Sequence, residues 1–250
     1  MKKIDILNII KCIPLFFMIF ISFWFSGCVS LDKEPLDSLS TNTFWKTEND
    51  AMLALTGVYK VAGGIKQSNF DVWSQLACLY LFEATTDNGF EKDNQVTDFN
   101  NGSLASTYGP VESLWANIYT HISRCNNFIS NSDNVQMNPN KLAEIKAEVK
   151  VIRAYDYFNL CFYWGDVPFA TQVLTVNEAN NIQRTAKSEI IDFVINELEE
   201  AIPHLPISRK DDEHGRITKG GALAILGRVL MSEKRWEDAK NVYKQIIDLG

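Results

Sequence analysis

The chain has 250 residues, 46% of them hydrophobic, 22% charged and 12% aromatic, a balance that excludes the disordered, collagenous and coiled-coil classes. Its formal net charge is -7, from 24 basic and 31 acidic side chains, and the basic residues form no cluster, which argues against a nucleic-acid partner. Length allows one or two domains and a sizeable core.

The amino-terminal region is the most informative. Lys2, Lys3 and Lys11 precede an apolar run, Ile13 to Phe25, that falls well short of the ~20 residues a membrane-crossing helix needs. It reads as the apolar core of a signal peptide. The run ends in Phe25-Ser26-Gly27-Cys28, two small residues followed by a thiol that can be acylated, which is a lipobox. Residues 1–27 are thus expected to be the lipoprotein signal peptide and Cys28 the lipidated residue, with an uncleaved anchor or an ordinary secretory peptide as alternatives. Two or more acyl chains would make the attachment stable, because one chain binds only marginally. Residues 28–43, polar and proline-bearing, read as a flexible tether, and 44–250 as the folded domain.

Along that domain, helices are expected to dominate and strands to be absent. The spacing predicts a helix starting near Phe44-Trp45, capped by Asn42 or Thr43, with Ala51, Leu55, Val58 and Tyr59 on one face and Gly63-Gly64 as its stop. Phe70 to Ala84 is a second helical run. Thr85 to Pro110 is a loop rich in Asp, Asn, Gly, Ser and Thr, longer than compact domains use without a functional reason. Helical periodicity resumes from Val111 through Trp115, Ile118, Ile122 and Ile129, where Cys125 falls on the apolar face and reads as a small buried side chain. Two further helices are predicted, Lys141 to about Tyr163, ended by Gly165-Asp166 and Pro168, and Ser188 to about Ile202. Thr218 then caps a helix carrying Leu226, Gly227 and Leu230, and a link at Glu233 to Arg235 leads to a last helix with Ala239, Tyr243 and Ile246. These offsets match a tetratricopeptide hairpin, with an ordinary helical hairpin as the alternative. Ile246, Ile247 and Leu249 leave apolar residues at the final helix, so either a partner covers them or the chain is incomplete there.

No catalytic constellation stands out. His121, His204 and His214 lack zinc-helix spacing, and Cys78, Cys125 and Cys161, an odd number in a disulfide-permissive compartment, offer no C-x-x-C pair; their pairing state stays open. Gly215 and Gly220 have P-loop spacing, but Gly221 stands where its Lys is required. No G-x-S-x-G elbow occurs. Glu199-Glu200 and Asp211-Asp212-Glu213 read as solvated surface charge rather than a glycosidase pair, although a pair assembled from distant positions stays open. No metal site and no cofactor are expected. The polar loop mixes carboxylate and amide groups with flat rings, the combination a sugar's hydroxyl rim and apolar face require. Its candidate ligand-binding residues are Asp87, Asn88, Phe90, Asp98, Asn100, Asn101 and Tyr108.

Several segments together resemble the SusD/RagB-like outer-membrane lipoproteins of glycan-foraging Gram-negative bacteria. They are Gly27-Cys28 with Leu31-Asp32 and Pro35; Phe44-Trp45, Asp50-Ala51 and Gly57-Val58-Tyr59; and Trp115, Ile118-Tyr119, Ile122 and Asn126. The most specific is EVKVIRAYDYFNLCFYWGDVPF, residues 148–169, with its Arg153-Ala154-Tyr155 step. Arg184, Glu189 and Leu198, then Gly215 to Lys219, extend the match. The resemblance implies an all-α fold of tetratricopeptide-like repeats with long irregular loops, incomplete at its C-terminus because members are considerably longer. It implies a non-enzymatic surface lipoprotein of the outer membrane, facing the cell exterior. That lipoprotein captures oligosaccharide or polysaccharide and delivers it to a TonB-dependent SusC-like transporter, toward which the helical repeats face. Asp32-Lys33-Glu34 is similar to surface-export signals of such lipoproteins. A tetratricopeptide-type adaptor that binds protein only is the second reading, and an exported glycoside hydrolase the third.

Overall fold

The structure is a computed structural model that describes residues 44–60, 83–89, 97–105, 107–210 and 213–250. The expected signal peptide and tether, Cys28, Cys78, Phe90, Gly63-Gly64 and most of the helical run expected over 70–84 lie outside the described residues. The fold is all-α, as expected, with helices packed side by side around two contiguous apolar clusters.

Helix α1 runs over Glu48–Tyr59. It begins later than the sequence pattern suggests, because Thr47 rather than Asn42 or Thr43 caps it. The Thr47 hydroxyl accepts from the Asp50 amide and the Asp50 carboxylate accepts from the Thr47 amide at 2.8 Å, a reciprocal capping box. Ala51, Leu55 and Val58 form its buried stripe, and Trp45 packs edge-on against Phe128 below it. Among its described residues the polar loop contains a helical turn, α2 (Thr97–Asn100), a local order its composition does not announce.

Helices α3 (Gly109–Asn131) and α4 (Pro139–Trp164) form the central antiparallel pair. Asn138 caps α4 by accepting from the Asn140 amide at 2.9 Å. From Ile145 to Cys161 almost every α4 residue is buried, so this helix is enclosed on all sides. Full enclosure forces its charged residues, Glu148, Arg153 and Asp156, to find partners inside the protein. α4 ends at Gly165, whose φ of +71° reverses the chain without the steric cost a Cβ would carry.

A strap follows, and here the expectation of no strands is corrected. Val167–Pro168 (β1) pairs antiparallel with Arg184–Thr185 (β2) in a two-residue ladder. Between them lies a six-residue helix, α5 (Val176–Asn181), with its own capping box at Thr175 and Glu178. Both were hidden by brevity, since neither is long enough to show a hydrophobic period. Helix α6 (Lys187–Ala201) then packs along α4, burying Ile190, Ile191, Val194, Ile195 and Leu198.

The chain closes with α7 (Lys219–Ser232) and α8 (Trp236–Ile247), joined by a tight turn in which Lys234 takes φ +60°. A Cβ placed on Gly227 would lie 2.6 Å from the Tyr243 ring, so the helices meet at a spacing only glycine permits. Ala239, Leu226 and Leu230 are buried around that contact, the tetratricopeptide arrangement the offsets predict. Ile246 and Leu249 pack partly against the core, whereas Ile247 remains 78% exposed and Trp236 57%. Among the described residues, no helix is long and apolar enough to cross a membrane. Cys125 and Cys161 are free and buried, and burial pushes the Cys161 thiol up to about 12.

Candidate binding site

The segment after α4 has little secondary structure of its own, so its backbone needs partners from elsewhere. α3 and α4 supply them through polar side chains aimed at four strap carbonyls, those of Pro168, Ala170, Thr171 and Gln172. Tyr119 donates to the Pro168 carbonyl at 2.7 Å. The Tyr157 hydroxyl donates to the Ala170 carbonyl at 2.7 Å and accepts from the Ala170 amide at 2.9 Å. Asn126 donates to the Ala170 and Gln172 carbonyls at 2.9 and 3.1 Å, and Arg153 to the Thr171 carbonyl at 3.0 Å. Arg184 and the Lys187 amide hold Asp166 at the far end, both at 2.9 Å.

Arg153 is the hub of this clamp. Its guanidinium also donates to the Asn126 side-chain oxygen at 2.8 Å, pairs with Glu197 of α6 and lies 5.5 Å from the Phe193 ring centre. Burial pushes the Glu197 carboxyl above its ordinary range, while the Arg153 hydrogen bond and charge pull the other way. Beside it, His121 sits between the Val58 carbonyl, 2.5 Å from Nε2, and Asp156, 3.0 Å from Nδ1. Nδ1 faces the Asp156 carboxylate, and because a carbonyl can only accept, Nε2 is the nitrogen that donates to Val58. That contact ties the last turn of α1 to the α3–α4 pair.

A second buried cluster centres on Glu148, which accepts from Tyr59 at 2.6 Å and from Arg216 Nε at 3.0 Å and lies 2.9 Å from Arg209. Tyr59 in turn accepts from the Ile217 amide at 2.9 Å. Glu213 pairs with Arg216 and Arg209, so it is not the solvated charge the sequence suggests, because two arginines from the same segment fold back onto it. Asp211 and Asp212 lie outside the described residues. Glu200 is exposed and meets Lys150 at 2.7 Å, while Glu199 is exposed. Among the described residues, no three His, Cys, Asp or Glu side chains gather to hold a metal.

The clamp leaves a cavity of about 340 Å³ between α3 and the strap. Trp115, Tyr119 and Tyr157 supply its aromatic lining, Asn126 a buried amide, and Ser123 and Gln172 exposed polar groups. The Trp115 ring is fixed by Tyr119 at 4.9 Å and by Trp164, edge-on at 5.3 Å. Burial raises the Tyr119 and Tyr157 hydroxyls well above the ordinary phenol value, so both remain neutral donors.

None of the six described loop candidates lines this cavity. Asp87 and Asn88 are exposed in a turn, where the Asn88 amide donates to Thr86 at 3.2 Å. Asn100 donates to the Ala84 carbonyl at 2.9 Å, and Asp98 and Asn101 both accept from Ser103, at 2.9 and 2.6 Å. Tyr108 stacks edge-on with Phe99 at 5.7 Å. These contacts organise the loop itself. The cavity residues carried a readable signal in the α3 stripe Trp115, Tyr119, Ile122 and Asn126, but it reads equally as core.

An all-α unit with a tetratricopeptide-like hairpin and an aromatic cavity under an irregular strap places the chain in the class of tetratricopeptide-like helical proteins. Residues 31–231 match the family described as SusD-like, starch-binding and associating with the outer membrane, and the chain belongs to that family. It is 29% identical to SusD-like protein P25 of Formosa agariphila over 87% of this chain and 42% of that protein. It is similar to a SusD-like carbohydrate binding protein of Bacteroides fragilis, with 31% identity, a TM-score of 0.77 and coverage of 83% of this chain and 42% of that one. A laminarin binding SusD-like protein matches with 27% identity, a TM-score of 0.70 and coverage of 81% and 44%. The chain spans less than half the length of the curated relatives it matches.

Proposed function

We propose that this chain belongs to a surface lipoprotein that captures oligosaccharide or polysaccharide without transforming it and delivers it to a SusC-like TonB-dependent transporter. The observation that carries the reading is the family match together with a preformed aromatic cavity whose polar walls are already held in place. Relatives named for carbohydrate and laminarin binding support the glycan class. In this reading acylated Cys28 holds the protein at the outer membrane, residues 28–43 act as its leash and the folded body faces the cell exterior. The exposed Asp87 and Asn88, with Phe90 and the ordered turn carrying Asp98, Asn100, Asn101 and Tyr108, would form a loop surface for the glycan.

Affinity gels cast with a panel of polysaccharides test the reading. Retardation by one class, weakened by Asp87→Ala or Phe90→Ala and without release of reducing ends, is the expected result. The adaptor reading draws on the exposed Trp236 and Ile247 of the hairpin. Recovery of a barrel transporter in pull-downs with no glycan binding at all would favour it, and release of reducing ends would favour the hydrolase.

A further inference from the structure

We infer that the cavity beneath the strap is a subsite for a single neutral pyranose ring, an inference that rests on the glycan-binding reading and sharpens it. No lining residue carries a charge. A uronate or sulfated sugar would lose its hydration there without gaining a counter-charge, a cost an uncharged ring does not meet. Amines are disfavoured for the same reason.

Shape and chemistry point the same way. About 340 Å³ lies at the lower end of the ~300–1,000 Å³ typical of small-molecule sites, room for a ring rather than a chain. Trp115 offers a broad flat surface whose orientation two neighbouring rings already fix, so an apolar sugar face can pack on it with little ordering cost. The hydroxyls of Tyr119 and Tyr157 and the amide of Asn126 are spent on strap carbonyls. They keep the cavity open instead of competing for ligand. Two polar side chains differ from these, Ser123 and Gln172, which are exposed and have no protein hydrogen-bond partner for their side chains among the described residues. Each can donate and accept, the pairing that a ring hydroxyl requires. One stands on rigid α3 and the other on the strap, so a sugar would bridge both sides of the clamp.

The test is calorimetry and affinity electrophoresis of the full chain with laminarin, amylopectin and xylan as neutral probes and polygalacturonate and alginate as anionic ones. Two variants are compared, Ser123→Trp, which fills the mouth from an exposed helical position, and Gln172→Ala, which removes one partner from the exposed strap. The expected result is binding of a neutral glycan that Ser123→Trp weakens by about tenfold or more and Gln172→Ala by a few-fold, with unfolding midpoints unchanged. Equal binding by wild type and both variants would overturn the subsite and leave glycan capture standing. Binding of an anionic glycan that Ser123→Trp blocks would overturn neutrality. Failure of every probe to bind the wild type would remove the glycan reading, and the subsite with it.

Discussion

The strap region and the α7–α8 hairpin solve opposite problems. The hairpin is regular, so its backbone satisfies itself and its stability comes from small residues that let two helices touch, Gly227 against Tyr243 above all. The strap has almost no ladder of its own, and buried polar side chains from α3 and α4 serve as its missing partners. One region is therefore sensitive to volume and the other to the loss of a donor. The polar solution also yields something the apolar one does not, because side chains held to strap carbonyls keep a cavity open.

The largest effect is expected at Arg153. Arg153→Met leaves Glu197 buried without its partner and the Thr171 carbonyl without its donor, and urea unfolding should show a loss of about 3–5 kcal/mol. Adding Glu197→Met should restore much of that stability, since a buried ion pair is often replaceable by packed apolar groups. The strap would stay loosened in the double variant, visible as faster amide exchange around residues 170–174. Full recovery of that protection would show that the clamp does not hold the strap. Tyr157→Phe comes next, because the Ala170 amide loses its acceptor. A destabilisation of about 1–3 kcal/mol is expected, with the hairpin unaffected. Gly227→Ala inverts the pattern: the added methyl collides with the Tyr243 ring, costing about 1–3 kcal/mol, partly offset by about 1 kcal/mol of helix propensity. Tyr243→Leu should rescue it, and strap exchange should not change.

The same division explains what could be read in advance. Periodicity located α3, α4, α6, α7 and α8 to within a few residues, because each buries a stripe long enough to repeat. The hairpin was legible down to the Gly227 contact, since its close approach is written in residue size. The strap was not. Its ladder has two residues per strand, and the groups that fix it, Asn126, Arg153 and Tyr157, stand 13 to 46 residues before the carbonyls they serve, on helices whose periodicity does not mark them as donors. The cavity is illegible for the same reason, being built from a helix stripe and a segment that shows no period. The α1 start is ambiguous from cap residues alone because Asn42, Thr43 and Thr47 are all competent caps, and only Thr47 is followed at the third position by a carboxylate.

The smallest effect concerns acid and separates two similar helix starts. Asp50 in α1 and Glu178 in α5 each close a capping box, and hydrogen bonds from Thr47 and Thr175 hold their carboxyls below the usual range. A depressed folded value means that each box contributes fully above the ordinary carboxylate range and is lost as pH falls through the lowered value. The consequences should differ. α1 also buries Ala51, Leu55 and Val58, so its first turn frays while the helix stays docked; α5 buries no residue and has little besides its cap to keep it wound. Amide exchange measured from neutral toward acidic pH should therefore show only the first α1 turn opening but the whole of α5, and Glu178→Gln should remove the pH dependence at α5 alone. Simultaneous loss of both helices would mean that burial does not distinguish them, and the contrast between a packed helix and one carried on an irregular strap would fall.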